Sequence, residues 1–420
     1  MLTKLLEQIR AYQMLSPGDR VYCALSGGAD SMALLWALYL CKERLEIDLQ
    51  AVHFNHHLRG EESQRDENFV RNFCAGYHIP LTVGSGEIRP GKKGLEAAAR
   101  DARYAFFATL PGKIATAHTA DDNAETLLMH LVRGTGLKGL GGITPVNGQL
   151  IRPMLNCTRQ DVLNFLQEYH IDFVEDSSNG TDQFLRNRLR HHVMPLLKAE
   201  NPRFSENTSA MAQRLRQDEE TLQTAAAFQE LPPVDTLRKL PPAVRSRALE
   251  VFLKEHGVKE PEAEHIALCE KLVFSQNPSA RAKFPGGVEL ERNYDRLVLR
   301  QETTPIPRTP LNPNGSTDFH DFTVHCFPAT ELINNQTTFT VCPQGDLFLR
   351  SRETGDRITL SGGTKTLKKL FVDKKVPAGQ RSSLPVICDE AGILAVGSIG
   401  VDQSRKATAL PALTIHLEYT

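Results

Sequence analysis

The first apolar positions, Leu2, Leu5, Leu6 and Ile9, fall at helical spacing, and Ser16-Pro-Gly-Asp19 closes that segment as a turn. From Val21 the pattern alternates between two periods. Residues 21–25 read as a short buried strand, and residues 31–41 as a helix with Leu34, Leu35 and Leu38 on one face. Further strands are predicted at 49–54, 81–83 and 113–116. Helices follow them at about 62–77, 94–110 (Leu95, Ala98, Ala102, Ala105 and Phe106 facing the core) and 121–133. Four strand-then-helix units in succession predict an α/β fold with a doubly wound parallel sheet.

Beyond that sheet the punctuation changes. Residues 134–142 are glycine-rich and read as a mobile loop. Thr158 is a plausible N-cap for a helix to Tyr169, with Asp161 near its first amides. Residues 184–192 read as a helix with a dense positive face, and about 200–224 as a long helix linking domains. Two Pro-Pro pairs within 230–242 mark a boundary. Helices near 243–254 and 261–274 follow, the second with Pro261 in its first turn, then short strands near Val288 and Leu297. Residues 301–314 read as a linker, and 316–420 as a small, mainly β or α+β domain. The expected division is therefore 1–215 (α/β, with the linking helix), 216–310 (helical or α+β) and 316–420.

Composition narrows the class. The 420 residues are 40% hydrophobic and 24% charged, as in soluble globular proteins. No apolar run approaches membrane-spanning length and no signal segment opens the chain, so a cytoplasmic protein without a membrane partner is expected. The eight cysteines stand singly, which argues against a cysteine zinc site or a disulfide framework. A net charge of −1 leaves nucleic-acid binding to local basic patches.

The most informative chemistry lies in Val21-Tyr-Cys-Ala-Leu-Ser-Gly-Gly-Ala-Asp-Ser31. Ser26, Gly27, Gly28, Ala29, Asp30 and Ser31 form a tight loop where a strand hands over to a helix, at the sheet edge where ligands bind. Glycines let the backbone approach an anion, and the free N–H groups of the helix start suit a phosphate. A carboxylate beside phosphate makes sense if a divalent cation bridges them, so Asp30 is a candidate magnesium ligand. An ordinary capped strand-to-helix turn would also fit these residues. The spacing is not that of the Gly-x-x-x-x-Gly-Lys-Ser/Thr loop. It resembles the pyrophosphate loop of the ATP-pyrophosphatase superfamily, whose members cleave ATP between the α- and β-phosphates and leave AMP on the substrate.

Three more clusters follow predicted strands. His53-Phe-Asn-His-His-Leu-Arg59 matches no helical metal pair and reads as a nucleotide-contacting loop or plain surface. Glu96, Arg100 and Arg103 share one helix face, either as a solvated salt-bridged stripe or with a guanidinium reaching the triphosphate. Asp122 and Glu125, three apart at a helix start after His118, either favour the helix dipole or complete a magnesium site or hold a cationic substrate.

Together with Arg133-Gly-Thr-Gly136, Ile151-Arg-Pro153, Asp176-Ser-Ser-Asn179 and Arg186-Asn-Arg-Leu-Arg190, these motifs stand in an order that resembles the bacterial tRNA(Ile)-lysidine synthetase family over most of the first 200 residues. Gly355-Asp-Arg357, Lys368-Lys-Leu-Phe371, Val376-Pro377 and Arg381 resemble that family's C-terminal domain more loosely. Asn55 departs from the aspartate expected there, so the His53–His57 loop is given no acid role.

The resemblance implies a two-step reaction. ATP activates O2 of the wobble cytidine in a CAU anticodon of tRNA(Ile), and the ε-amine of L-lysine then displaces AMP at C2. It implies ATP and Mg2+ as cofactors, with Ser26–Ser31, His53, Arg100 and Arg103 at the nucleotide and Asp30 and Asp122 at the metal. Asp30, His118, Asp122 and Glu125 are the candidate catalytic residues. Arg186, Arg188, Arg190, Arg350, Arg352, Lys368, Lys369 and Arg381 are candidate tRNA contacts. A monomer or a homodimer fits equally. A tRNA thiolase, a small-molecule adenylating ligase and a non-catalytic nucleotide-binding module are the rival readings; the first normally needs a catalytic cysteine, for which Cys74 or Cys157 would have to serve.

Overall fold

A computed structural model of the chain describes residues 1–58, 60–86, 95–175, 182, 184–300 and 304–419. The expectations placed on Arg59, on residues 176–179 and on the Glu96 side chain lie outside the described residues. The chain divides into two compact units, Met1–Thr221 and Leu222–Thr420.

In the first unit, α1 (Leu2–Ala11) precedes β1 (Arg20–Leu25), α2 (Ala29–Leu45), β2 (Asp48–Asn55), α3 (Glu61–Gly76), β3 (Leu81–Ser85), α4 (Leu95–Phe107), β4 (Lys113–Ala115) and α5 (Ala120–Arg133). The short α6 (Leu137–Leu140), β5 (Val146–Asn147) and β6 (Leu150–Ile151) complete the sheet. Its order is β3-β2-β1-β4-β6-β5, and only β5 runs antiparallel to its neighbour. The chain winds outward from β1 to β3, then returns past β1 to lay down β4. That reversal opens a crevice at the carboxyl ends of β1 and β4.

Both faces of the sheet are covered, which is why Val21, Tyr22 and Cys23 of β1 are all buried. The expectation of a single buried face on α2 is corrected. Met32, Ala33, Leu34, Leu35, Ala37 and Leu38 are all fully buried, because the helix lies between β1 and a further helix, α7 (Arg159–Glu168). The face expected of α4 is also corrected. Leu95 and Ala105 are exposed, whereas Phe106 packs as expected, beside the fully enclosed Phe107, against Tyr22, Val52 and Ile114. Aromatic bulk in the last turn outweighs the alanines.

The glycine-rich segment is tied down. His130 Nδ1 meets the Gly139 carbonyl at 2.7 Å, and the Ile143 N–H donates to Asn123 Oδ1 at 2.8 Å. The expected helix over 184–192 is broken into α8 (Leu185–Arg188), a π turn (Leu189–Val193) and α9 (Met194–Glu200), after which α10 (Phe204–Ala225) begins. Single π turns inside helices often mark functional sites.

The second unit opens with α11 (Val234–Lys239), α12 (Pro242–Glu255) and α13 (Ala263–Phe274), packed with β7 (Arg281–Lys283), β8 (Glu289–Asn293) and β9 (Arg296–Leu299) around Leu237, Leu249, Leu253 and Leu290. Pro242 occupies the first turn of α12, whereas Pro261 precedes the Glu262 cap of α13. Antiparallel sheets of five and four strands follow among the described residues, with α14 (Leu367–Asp373) beside them. Part of the expected linker is an edge strand, where Thr309 and Pro310 pair with Leu349 and Phe348. The architecture is thus α/β with a parallel sheet, followed by an α+β segment and a mainly antiparallel one.

Candidate active site

A cavity of about 470 Å3 opens at the switch point. Its wall comprises Leu25, Ser26, Asp30 and Ser31 after β1, His53 to His56 at the end of β2, Arg103, Tyr104 and Phe107 from α4, and Thr116, Ala117, His118 and Asp122 after β4. Arg186 closes one side.

The loop after β1 is held by its own hydroxyls. Ser31 Oγ donates to the Gly28 carbonyl (2.8 Å) and accepts from the Ser26 N–H (3.2 Å), while the Gly28 N–H donates to Ser26 Oγ (3.3 Å). Gly27 takes φ +88°, a conformation that disfavours any Cβ although space is available there. Gly28 is the N-cap of α2 and has no side chain with which to cap, so the helix offers its first amides to a ligand.

Asp30 stands in the first turn of α2, and its carboxylate accepts from Arg159 Nη1 at 2.5 Å. Burial pushes its carboxyl above the ordinary range, and the nearby Asp122 charge adds to this against the pull of Arg159 and Arg190.

Asp122 does two jobs. One oxygen accepts from the Thr119 N–H (2.8 Å) and completes the α5 capping box; the other accepts from Arg186 (2.8 Å) and Arg190 (3.2 Å). Burial would raise its carboxyl, but Arg186, the neighbouring His118, the Thr119 N–H and Arg190 hold it below the usual range. Glu125, one turn on and 2% exposed, takes Arg186 Nε at 2.8 Å and Arg190 Nε at 2.6 Å.

Arg186 and Arg190 therefore do not form the free positive face expected of residues 184–192. That expectation is corrected: four residues apart, both guanidinium groups lie on one face and are taken up by Asp122 and Glu125. Arg188 remains exposed, with a bond to the Asp182 carbonyl (3.2 Å).

Of the cavity's histidines, His53 and His118 are held neutral at pH 7. Burial lowers His53, which lies within β2 rather than on a turn; its Nδ1 meets the Leu25 carbonyl at 2.9 Å, so its Nε2 is the acceptor. Burial, with Arg152, Arg186 and Arg100 nearby, brings His118 down to about 4 against the pull of Asp122. Its Nδ1 lies 3.1 Å from Thr116 Oγ1.

Of the two arginines expected at the phosphates, Arg103 lines the cavity. Arg100 is exposed and stacks over Tyr104 (5.3 Å) outside that lining. Among the described residues no cluster of three or more His, Cys, Asp or Glu forms a metal site. Cys74 and Cys157 are buried thiols pushed up by burial to about 11 and about 12, and neither lines the cavity.

Two residues went unnoticed in the sequence. Arg159, at the first position of α7, partners Asp30. The buried Asp121 accepts from the Arg159 N–H (2.7 Å), from Ser205 Oγ (2.9 Å) and from Lys198, tying α5 to α7, α9 and α10. The Thr158 cap was the only hint of either.

In the second unit, Arg350 is withdrawn from the candidate tRNA contacts. It is 13% exposed and makes a two-pronged bond to Asp356 (2.7 and 2.9 Å), a structural pair. Arg381 is partly tied, donating to the Val376 carbonyl (3.0 Å) and to Tyr294 Oη (3.3 Å). Lys368 and Lys369 are exposed, and Arg352 is half-buried.

A parallel sheet whose first strand ends in Ser-Gly-Gly-Ala-Asp-Ser, with acidic residues facing that loop, defines a PP-loop nucleotide-binding domain, and the family model for a PP-loop domain matches residues 1–197. Models described as the TilS substrate binding domain and the TilS substrate C-terminal domain match residues 233–298 and 347–417. The chain is 33% identical to the tRNA(Ile)-lysidine synthase of Geobacter sulfurreducens over 96% of its own length and 94% of that protein's. It is 31% identical to the synthase of Geobacillus kaustophilus, covering 93% of each. The chain belongs to the tRNA(Ile)-lysidine synthase family. It is accordingly an ATP-using ligase whose substrate is a tRNA. Among the described residues no helix is long and apolar enough to cross a membrane.

Proposed function

We propose that this chain joins L-lysine to the wobble cytidine of a tRNA(Ile) bearing a CAU anticodon. Cytidine O2 attacks the α-phosphorus of ATP and pyrophosphate leaves. The lysine ε-amine then attacks C2, AMP departs with O2, and the amine gives up a proton.

The observation that carries this reading is the arrangement across the cavity. The loop before α2 stands on one side and Asp122 on the other, and Asp122 with Glu125 behind the lining already holds the cationic groups of Arg186 and Arg190. Backbone N–H groups around Gly27 and Gly28 take the phosphates, with Arg103 at the cavity wall. Asp122 and Glu125 take the ε-ammonium of lysine before it loses its proton, competing for it with Arg186 and Arg190. His118, being neutral, offers an acceptor nitrogen to the incoming amine.

Asp30 and Asp122 also fit Mg2+. They are hard oxygen donors whose charges repel across the loop, and magnesium typically takes one or two carboxylates with substrate phosphates and water. When bound, it supplies charge neutralisation for the leaving pyrophosphate. Exposed Arg188 in the first unit, and exposed Lys368 and Lys369 with half-buried Arg352 in the second, serve tRNA phosphates, and residues 216–310 and 316–420 act as two tRNA-binding modules.

The decisive experiment combines tRNA, ATP and labelled lysine and omits each in turn. Incorporation that needs all three supports the reading, whereas lysine-free base modification or tRNA-free lysine activation would overturn it. Asp30→Ala should abolish ATP–pyrophosphate exchange; near-normal exchange would reject its assignment.

A further inference from the structure

We propose that Arg159 is a further residue of the nucleotide site: its guanidinium neutralises Asp30 in the nucleotide-free protein and turns onto the phosphates of bound ATP. This rests on the reading of the Ser26–Ser31 loop as the phosphate site.

Four observations carry it. First, Arg159 Nη1 sits on Asp30 Oδ1 at 2.5 Å, and Asp30 is itself in the phosphate loop's helical turn. The guanidinium thus stands one carboxylate away from the amides that face an anion. Second, Arg159 is the first residue of α7, just after its Thr158 cap. A cation there opposes the helix dipole, so helix stability does not account for it. Third, the backbone is fixed while the side chain is not. The Arg159 N–H is held by the buried Asp121 carboxylate (2.7 Å), itself anchored by Lys198 and Ser205. The guanidinium is 44% exposed, and among the described residues Asp30 is its polar partner. Fourth, the partner itself stands at the ligand's place: Asp30 lines the cavity with Ser26 and Ser31 of the phosphate loop, where a nucleotide complex would compete for it. Were Asp30 to hold the metal of a nucleotide complex, the guanidinium it gives up would be a planar five-donor fork beside the triphosphate, the geometry for which arginine is suited.

The exchange conserves charge. In this structure the guanidinium pairs with the Asp30 carboxylate; with nucleotide bound it would pair with phosphate, and Asp30 would be available to hold the metal. Arg159 has a binding role here, with no bond made or broken.

The test uses the full chain and reads binding rather than turnover. Arg159→Ala, Arg159→Gln and Arg159→Lys are titrated calorimetrically with a non-hydrolysable ATP analogue and with AMP, each with Mg2+ present. The proposal expects the Ala and Gln variants to lose on the order of ten- to hundredfold in affinity for the analogue. AMP affinity should stay within about twofold, and the Lys variant should recover part of the loss. KM for ATP should rise more than kcat falls. Thermal melting of each variant identifies any that fails to fold, in which case the Lys variant carries the comparison alone.

A residue that merely fastens α7 to α2 predicts otherwise: a lower melting temperature with the preference for ATP analogue over AMP intact. That result overturns the proposal. The wild-type omission experiment is scored separately, so loss of lysine incorporation there would reject the functional reading without touching the binding result.

Discussion

Glu125 gives the sharpest test of the charge arrangement opposite the phosphate loop. Its carboxylate is 2% exposed and takes three bonds from Arg186 and Arg190. Removing one partner from a buried ion pair costs roughly 3–5 kcal/mol, because the other charge is left without compensation. Here the two guanidinium groups are 33% and 37% exposed, so water recovers part of that loss, and Arg186 and Arg190 keep Asp122. Glu125→Gln, which preserves shape and one acceptor, should therefore cost about 1–3 kcal/mol.

Scanning calorimetry of the full chain reads this. Only the transition of the Met1–Thr221 unit, identified by its upward shift with ATP, should move, by roughly 2–4 °C per kcal/mol. The second readout is functional. The KM for lysine should rise on the order of tenfold or more, while ATP–pyrophosphate exchange persists. If neither the melting transition nor the lysine KM changes, Glu125 holds neither the arginines nor the substrate, and the reasoning fails.

Three other outcomes are expected. Gly27→Ala should destabilise the loop by about 1–2 kcal/mol through its φ of +88°, since no neighbour lies closer than 3.6 Å to the new methyl. Gly28→Ala, at φ −73°, should leave melting unchanged, which paired melting curves check. His118 is depressed to about 4 in the folded protein against about 6.5 unfolded. The neutral form is thus fully stabilising above pH 6.5, and stability falls as pH drops toward 4, by an amount His118→Asn should reduce on the order of 2 kcal/mol in urea titrations across that window. Arg350→Ala should cost about 2–4 kcal/mol by stranding Asp356, whereas Lys368→Glu with Lys369→Glu should leave stability within about 0.5 kcal/mol and weaken tRNA binding with a shallower salt dependence.

Periodicity and punctuation made the first unit legible. Strand-to-helix alternation placed β1 to β4, and the glycine pair with its following aspartate marked the end of β1. Thr158 was readable as a cap because capping is a local property of four residues. The failures have a common cause in tertiary geometry. The buried girth of α2 depends on α7, which lies more than 110 residues further along the chain. Phe107 rather than Ala105 faces the sheet because aromatic volume decides the rotation of a helix whose polar pattern is ambiguous. Pro261 stands before a cap instead of inside a turn because Glu262 and His265 cap each other.

The basic residues show most plainly what spacing leaves out. Arg186, Arg188 and Arg190 alternate along one short stretch, and alternation alone suggests a shared solvated surface. Helical spacing divides them: Arg186 and Arg190, four apart, reach the acids of α5, while Arg188 between them faces outward. Arg350 and Lys368 look equivalent as members of a basic run, yet one is half of a largely enclosed structural pair and the other is exposed. A positive residue signals a polyanion only after its internal carboxylates have been subtracted. That subtraction removes three guanidinium groups, Arg159, Arg186 and Arg190, which are set against the three acids Asp30, Asp122 and Glu125. Such a balance lets a site keep three carboxylates partly buried without a ligand, and each pairing is one that an incoming metal, ammonium or phosphate can replace. If the acids were structural alone, amide substitutions at all three would lower stability and leave the affinities for ATP and lysine alike. If they are exchange partners, the two affinities should separate, with Asp30→Asn weakening the nucleotide and Glu125→Gln weakening lysine.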